Sequence, residues 1–453
     1  MTASNTPIVL SAAEEARAIE NWKAFLRFPS VSADPAHVAD CRACAAWLCA
    51  HLSGMGLDVE QIETTGKPVV LAERRGRPGS PTVLFYGHYD VQPPDPLDQW
   101  HTPPFEPDLR DGRLYARGAE DNKGQIMFAL TAIESLIRHG VLLPTVKVIL
   151  EGEEEHGSRG ITEFLDAQAK RVTADILLVH DCQAVHTGQP TIVMGLRGVL
   201  SLTVRLDGPR HDLHSGVHGG LAPNPATAMA RLLATLHHAD GRVAVDGFYD
   251  GVEPPTAEER ALANAVADNA ASYAAAIGVP PVGGERDFTP AERVGFRPCL
   301  DINGMHSGYG GAGSKTIIPA NALAKLSARV VSGQNPKHVM AAIVRHLEHN
   351  APAGLRLSLS DLSVPGPALR LRLDSPIAQR ARAILEAGGE PVAFLWDGAS
   401  IPIVARLAQA SGAEPLLVGF GLESDCIHAP NESFPLEQFR KGHAFVAAFL
   451  AGL

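Results

Sequence analysis

No apolar run in the sequence approaches the roughly 20 residues that a membrane-spanning helix requires, so a membrane partner is not expected. Basic charge is also short. Lys and Arg total 39 against 50 Asp and Glu, a net charge of -11. A nucleic-acid partner is therefore not expected, because phosphate backbones are met by clustered Lys and Arg. Cysteine is scarce, with six scattered through 453 residues. That is too few for a disulfide framework, and the one CxxC pair, Cys41 and Cys44, has no second pair to complete a zinc ribbon. It sits in VADCRACAAWLCAHL, an Ala-rich pattern that reads as a buried helix. The opening residues, MTASNTPIVLSAAEEARAIENW, lack a basic segment followed by an apolar one, so no secretory signal is expected. A reducing cytoplasm is the expected compartment.

What is present is an ordinary core-forming composition, 45% hydrophobic and 20% charged, in a chain long enough for two or three domains. Four β-rich runs stand out: TVLFYG (82–87), TVKVILEG (145–152), ADILLVHD (174–181) and PLLVGFG (415–421). Near-continuous Val/Ile/Leu runs suit strands buried on both faces of a mostly parallel sheet. Between the first two, Ile126, Ala129, Leu130, Ile133, Leu136 and Ile137 repeat at helical spacing, and Gly140 supplies a stop. The unit is strand–helix–strand, which predicts an α/β domain with helices on both faces of the sheet.

From about residue 196 the pattern changes. LRGVLSLTVRLDG alternates like a half-exposed strand, and NPATAMARLLATLHHA is helical. A capping box at Thr256 and Glu259 opens an expected long helix through PPTAEERALANAVADNAASYAAAIG. ALAKLSARVVSG reads as a strand and NPKHVMAAIVRHLEHN as an amphipathic helix. The expectation is an inserted α+β domain over 196–366, interrupting a catalytic domain formed by 1–195 and 367–453.

Ligands of open parallel sheets bind at the carboxyl ends of the strands. His88 and Asp90 follow the first run, Glu151, Glu153, Glu154 and Glu155 the second, Asp181 the third, and His428 the fourth; Asp121 precedes the crossover helix. Singly, each has a plain explanation: an Asp before a helix is commonly an N-cap, and glutamates after a strand commonly form a wet loop. Jointly they put two imidazoles and several carboxylates on one rim, where divalent cations would relieve the mutual repulsion. Donors without thiolates favour Zn²⁺, with Mn²⁺ or Co²⁺ as alternatives. More than four donors suggests two ions.

The segments GHYDVQP, ARGAEDNKG, EEHGS, His180-Asp181, GLRG, DLHSGVHGG, KTIIP, DGASIP and IHAPNE resemble, in order, those of the M20 family of dinuclear metallopeptidases. DLHSGVHGG and the size of the middle domain are most similar to the carnosinase-type dipeptidase branch. The resemblance implies that Asp121 bridges two ions, one also held by His88 and Asp181, the other by Glu155 and His428. It implies that Asp90 orients His88 through its other ring nitrogen and that Glu154 is the general base. His214 would donate to the oxyanion in the neighbouring subunit of a homodimer formed through the inserted lid domain. Arg329, Thr316 and Ser400 would bind the substrate's carboxylate end. The expected substrate is a dipeptide or small peptide with a free C-terminal carboxylate; the alternative is an N-acyl amino acid or another small amide. A catalytically dead binding protein would need a broken ligand set, and the set is whole. Two departures stand out. Trp396 and Ala399 occupy positions where the family usually has Arg and Gly, which puts the leaving side of the pocket in question, and His156 follows the glutamates as either a further ligand or a supporting or exposed residue.

Overall fold

The computed structural model describes residues 10–185, 188–267 and 270–453. The chain forms two compact units. One comprises Met1–Met194, Leu371–Leu395 and Arg406–Leu453, the other Gly195–Arg370 and Trp396–Ala405. Among the described residues no helix is long and apolar enough to cross a membrane.

In the first unit the four apolar runs become adjacent strands. Thr82–His88 lies between Thr145–Glu151 and Ile176–Val179, and Glu414–Gly419 follows on the far side of Ile176–Val179, all parallel. Their side chains are almost wholly buried, as strands covered on both faces must be. The fold is thus α/β with a largely parallel central sheet. Its flanks are antiparallel: Val69–Arg74 and Asp58–Ile62 extend one edge, and Thr191–Leu196 pairs with Glu414–Gly419. The register sets His88 opposite Glu151 and Tyr86 opposite Val179, so the strands end together along one edge.

The crossover helix Lys123–Arg138 is buried from Lys123 through Ile133. It packs against Ala12–Leu26 and Leu436–Ala451, where Trp22, Phe128, Phe434 and Phe439 interlock with ring centroids 5.1–6.4 Å apart. Cys41 and Cys44 are buried on the helix Val38–Gly54, and burial pushes the Cys41 thiol up to about 12, the behaviour of packing residues.

The second unit is an antiparallel sheet ordered Cys299–Ser307, Asn321–Val330, Gly198–Asp207, Arg356–Gly366. Alternate residues Leu200, Leu202, Val204 and Leu206, with Ala324, Leu326 and Ala328, bury against the helices Pro225–Ala234 and Pro336–His349. Arg329, between two such core positions, therefore belongs to the opposite face. The Thr256–Glu259 capping box forms, but its helix, Ala257–Val266, ends at extended Ala267, and a separate helix runs Ala270–Ile277. Asp268 and Asn269, which the expected single helix includes, lie outside the described residues.

Candidate metal centre

Five of the residues expected as ligands meet at the strand edge of the first unit. His88, Asp121 and Asp181 each offer a donor atom within 4.8 Å of the others, and so do Asp121, Glu155 and His428. Asp121 is common to both groups. Its Oδ1 lies 3.0 Å from His88 Nε2, and its Oδ2 lies 2.9 Å from His428 Nε2. Although it comes just before a helix, it does not cap it; its carboxylate faces the two imidazoles instead. Its peptide bond to Asn122 is cis.

Each neighbour is held from behind. His88 Nδ1 is 3.2 Å from the Asp90 backbone carbonyl, and donation there leaves the Nε2 lone pair for the site. The Asp90 carboxylate sits 3.4 Å from that nitrogen, but its better-defined partners are the Glu154 and Glu155 amides, at 3.2 and 3.1 Å. Asp90 therefore shapes the turn Glu154–His156 as well as the imidazole. Gln92 donates to Glu155 Oε2 at 2.6 Å, leaving Oε1 buried, without a well-directed hydrogen bond and 3.3 Å from His428 Nε2. Asn122 receives the His88 amide at 3.3 Å and donates to Asp181 Oδ1 at 3.0 Å.

Electrostatics show how strongly this site demands positive charge. Burial works against a charged His88, yet Asp181, Asp121 and Asp90 outweigh it and hold its pKa well above the ordinary value. The hydrogen bond to Asp121 and the Glu155 carboxylate close by raise His428 to about 10. Burial lifts Glu154 well above the carboxylate range, helped by Asp181, Glu151 and Glu155 although His88 opposes it. Protons on both imidazoles thus do part of what cations would do. Carboxylate and imidazole donors in two triads with a shared member, one oxygen of Glu155 left over, fit a pair of divalent ions.

The rest of the glutamate run is neither solvated nor part of the triads. Glu151 accepts from Tyr86 and Ser158 at 2.9 and 3.0 Å, and burial pushes its pKa to about 8. Glu153 accepts from the Gly160 amide at 2.8 Å, and His156 is exposed.

The second unit brings together other expected residues. Arg329 Nη1 donates to Ser400 Oγ at 2.6 Å. His214, exposed, pairs with Ile317 in a two-stranded ribbon, and the following Ser215 amide donates to the Thr316 carbonyl at 3.0 Å. Trp396 is 3% exposed. Its ring packs 5.2 Å from Phe296 and over Gly195, where a Cβ would come within 2.9 Å of it, so here it is a packing residue of this unit.

Several residues inside the quoted motifs carried no role from sequence: Gln92, Asn122, Arg197 and Glu432. Arg197 donates Nε to the Gly398 carbonyl and its amide to the Ala399 carbonyl, both at 3.0 Å, bracing the loop that bears Ser400. The only signal for any of them was polarity within a motif.

A family model described as "Peptidase family M20/M25/M40" matches residues 84–452. The chain belongs to that family. Among its M20 relatives, the Cys-Gly metallodipeptidase DUG1 of Candida albicans is 28% identical over 458 residues, covering 95% of this chain and 93% of the relative. A Beta-Ala-His dipeptidase of Rattus norvegicus is 30% identical over 396 residues, covering 85% and 80%. An M20 family metallo-carboxypeptidase from Sulfolobus solfataricus has a TM-score of 0.85 to this structure at 29% identity, covering 96% of this chain and 98% of that one. The ordered motifs thus led to the right family, and to the branch that holds the carnosinases.

Proposed function

We propose that this M20 protein hydrolyses the amide bond of dipeptides or small peptides with a free C-terminal carboxylate, using two divalent cations. The observation that carries this reading is the pair of triads sharing Asp121. His88, Asp121 and Asp181 hold one ion; Asp121, Glu155 and His428 hold the other. Zn²⁺ suits these donors best, with Mn²⁺ or Co²⁺ as the alternatives. Bound there, the ions supply the positive charge that acidifies a water and polarises the scissile carbonyl.

The chain's own residues do the rest. Glu154, on the turn that Asp90 holds, takes the proton of the attacking water and passes it to the leaving amine. Asp90 keeps Glu154 and Glu155 in place through their amides. Arg329, with Ser400 and Thr316, receives the substrate's carboxylate end; a guanidinium fork donates two parallel hydrogen bonds to such a group. His214 donates to the oxyanion of the neighbouring subunit. The assembly is a homodimer through the second unit, which serves as the inserted lid, and the compartment is the cytoplasm. The subunit assignments rest on family resemblance and on the exposure of His214, and the compartment on the few, scattered cysteines.

A substrate screen on metal-reconstituted protein tests the proposal. It covers dipeptides, β-alanyl peptides and N-acyl amino acids, with a chelated control. Chelator-sensitive release of amino acids from dipeptides is expected. Metal-loaded protein inert toward the whole dipeptide panel overturns the reading, and a strong preference for the N-acyl compounds transfers it to an amidohydrolase.

A further inference from the structure

Glu432 is fully buried and 11 residues beyond Gly421, in the segment that also carries His428. Its carboxylate gathers four donors. Oε2 accepts from Arg117 Nη1 and from the Gly118 amide, both at 2.8 Å. Oε1 accepts from the Glu120 and Asp121 amides at 3.0 and 3.1 Å. The buried Arg117 reaches on to the Pro93 carbonyl with Nη2 at 3.3 Å. Glu432 thus joins its own segment, which carries His428, to the one that bears Asp121, and Arg117 extends the tie to the segment that follows His88.

The need for such a tie follows from where Asp121 stands. An Asp just before a helix by default turns its oxygens back onto the free amides of the first turn. A shared ligand must instead keep both oxygens clear of protein N–H donors. Glu432 fixes the backbone leading into and through Asp121 by accepting the amides of Gly118, Glu120 and Asp121, and from that backbone the Asp121 carboxylate faces His88 Nε2 and His428 Nε2.

We propose that Glu432, backed by Arg117, is a positioning residue of the metal centre: it holds Asp121 in the orientation that lets one carboxylate serve both ions. The inference rests on the metal-centre reading above. It concerns no contact between Glu432 and substrate or metal.

The experiment compares wild-type protein with Glu432→Gln, each stripped of metal and titrated with Zn²⁺ or Mn²⁺ by equilibrium dialysis, with far-UV circular dichroism of the metal-free forms. Gln keeps the shape but offers one acceptor oxygen where the amides need two. Folded Glu432→Gln should bind both ions about tenfold or more weakly, the range seen when a group supporting a ligand is removed. Should Glu432→Gln not fold, Glu432→Asp replaces it; the charge beside Arg117 remains, the reach to both amide pairs is lost, and the same weakening is expected. Either folded variant binding both ions as tightly as wild type overturns the inference and leaves the functional reading intact. Wild-type protein that binds neither ion overturns the reading itself, and this inference with it.

Discussion

Replacing Asp90 by Asn changes one oxygen and one charge in a fully buried position. The two carboxylate oxygens each accept a backbone amide, from Glu154 and Glu155, and the Oδ1 atom also lies 3.4 Å from His88 Nδ1. Asn has a single acceptor oxygen, so one amide loses its partner and meets an NH₂ instead. An orphaned buried donor costs about 1–3 kcal/mol, and exchanging a charged acceptor for a neutral one costs about 1 kcal/mol more. The turn bearing Glu154 and Glu155, the proposed base and ligand, can recover part of that only by moving. A shift of about 1 Å in a catalytic group is enough for a hundredfold loss. The expected result for metal-saturated Asp90→Asn is therefore a fall in kcat of about 100-fold with a smaller change in KM, and metal-free protein less stable to denaturant by about 2–4 kcal/mol. Steady-state kinetics on a dipeptide and urea unfolding measure both. Wild-type kcat together with unchanged stability would refute the assignment of Asp90 as the support of this turn.

Two further outcomes are expected. Glu154→Gln removes the proton acceptor and should lower kcat about 10²–10⁴-fold while retaining bound metal; turnover equal to wild type excludes Glu154 as the base. His443, buried on the helix Leu436–Ala451, is pushed by burial from 6.5 down to about 4. The unfolded chain takes up this proton before the folded one does, so His443 costs nothing above pH 6.5 and destabilises progressively as pH falls toward 4. At about 1.4 kcal/mol per pKa unit, the loss reaches about 3 kcal/mol. Urea titrations of metal-free protein should show His443→Gln losing that much less than wild type over the window, and parallel pH profiles contradict the assignment.

Much of this architecture was legible because its causes are local. Strands buried on both faces need unbroken apolar runs, and the runs at 82–87, 145–152, 174–181 and 415–421 are the four adjacent parallel strands. Polar residues at the ends of such runs must gather at one edge, which is why His88, Asp121, Glu155, Asp181 and His428 could be grouped across more than 300 residues of sequence. The antiparallel flanks were not read: Asp58–Ile62 is half-exposed, and Thr191–Leu196 runs on after a single residue into the strand Gly198–Asp207, so no turn signal bounds it. The expected long helix beyond Thr256 gives way at Ala267, beside Asp268 and Asn269, residue types whose side chains compete for backbone hydrogen bonds. Partners were hardest of all. That the Asp90 carboxylate would serve the amides of Glu154 and Glu155, or that Glu432 would serve those of Glu120 and Asp121, depends on tertiary geometry that no spacing encodes.

The strand Glu414–Gly419 sits between Ile176–Val179 and Thr191–Leu196, which precede it by roughly 220 residues. During synthesis its two neighbours exist long before it does. At about 5–20 residues per second, that wait is on the order of 10–45 s. Until it ends, the sheet has an empty lane at its middle, with edge groups on both sides open to pairing with the wrong chain. The second unit, made in the interval, has its whole sheet and its own core and can fold meanwhile. His428 and Glu432 arrive after the missing strand. An unfinished chain thus carries one triad at most, and the second, with His428, is completed only once the sheet has closed.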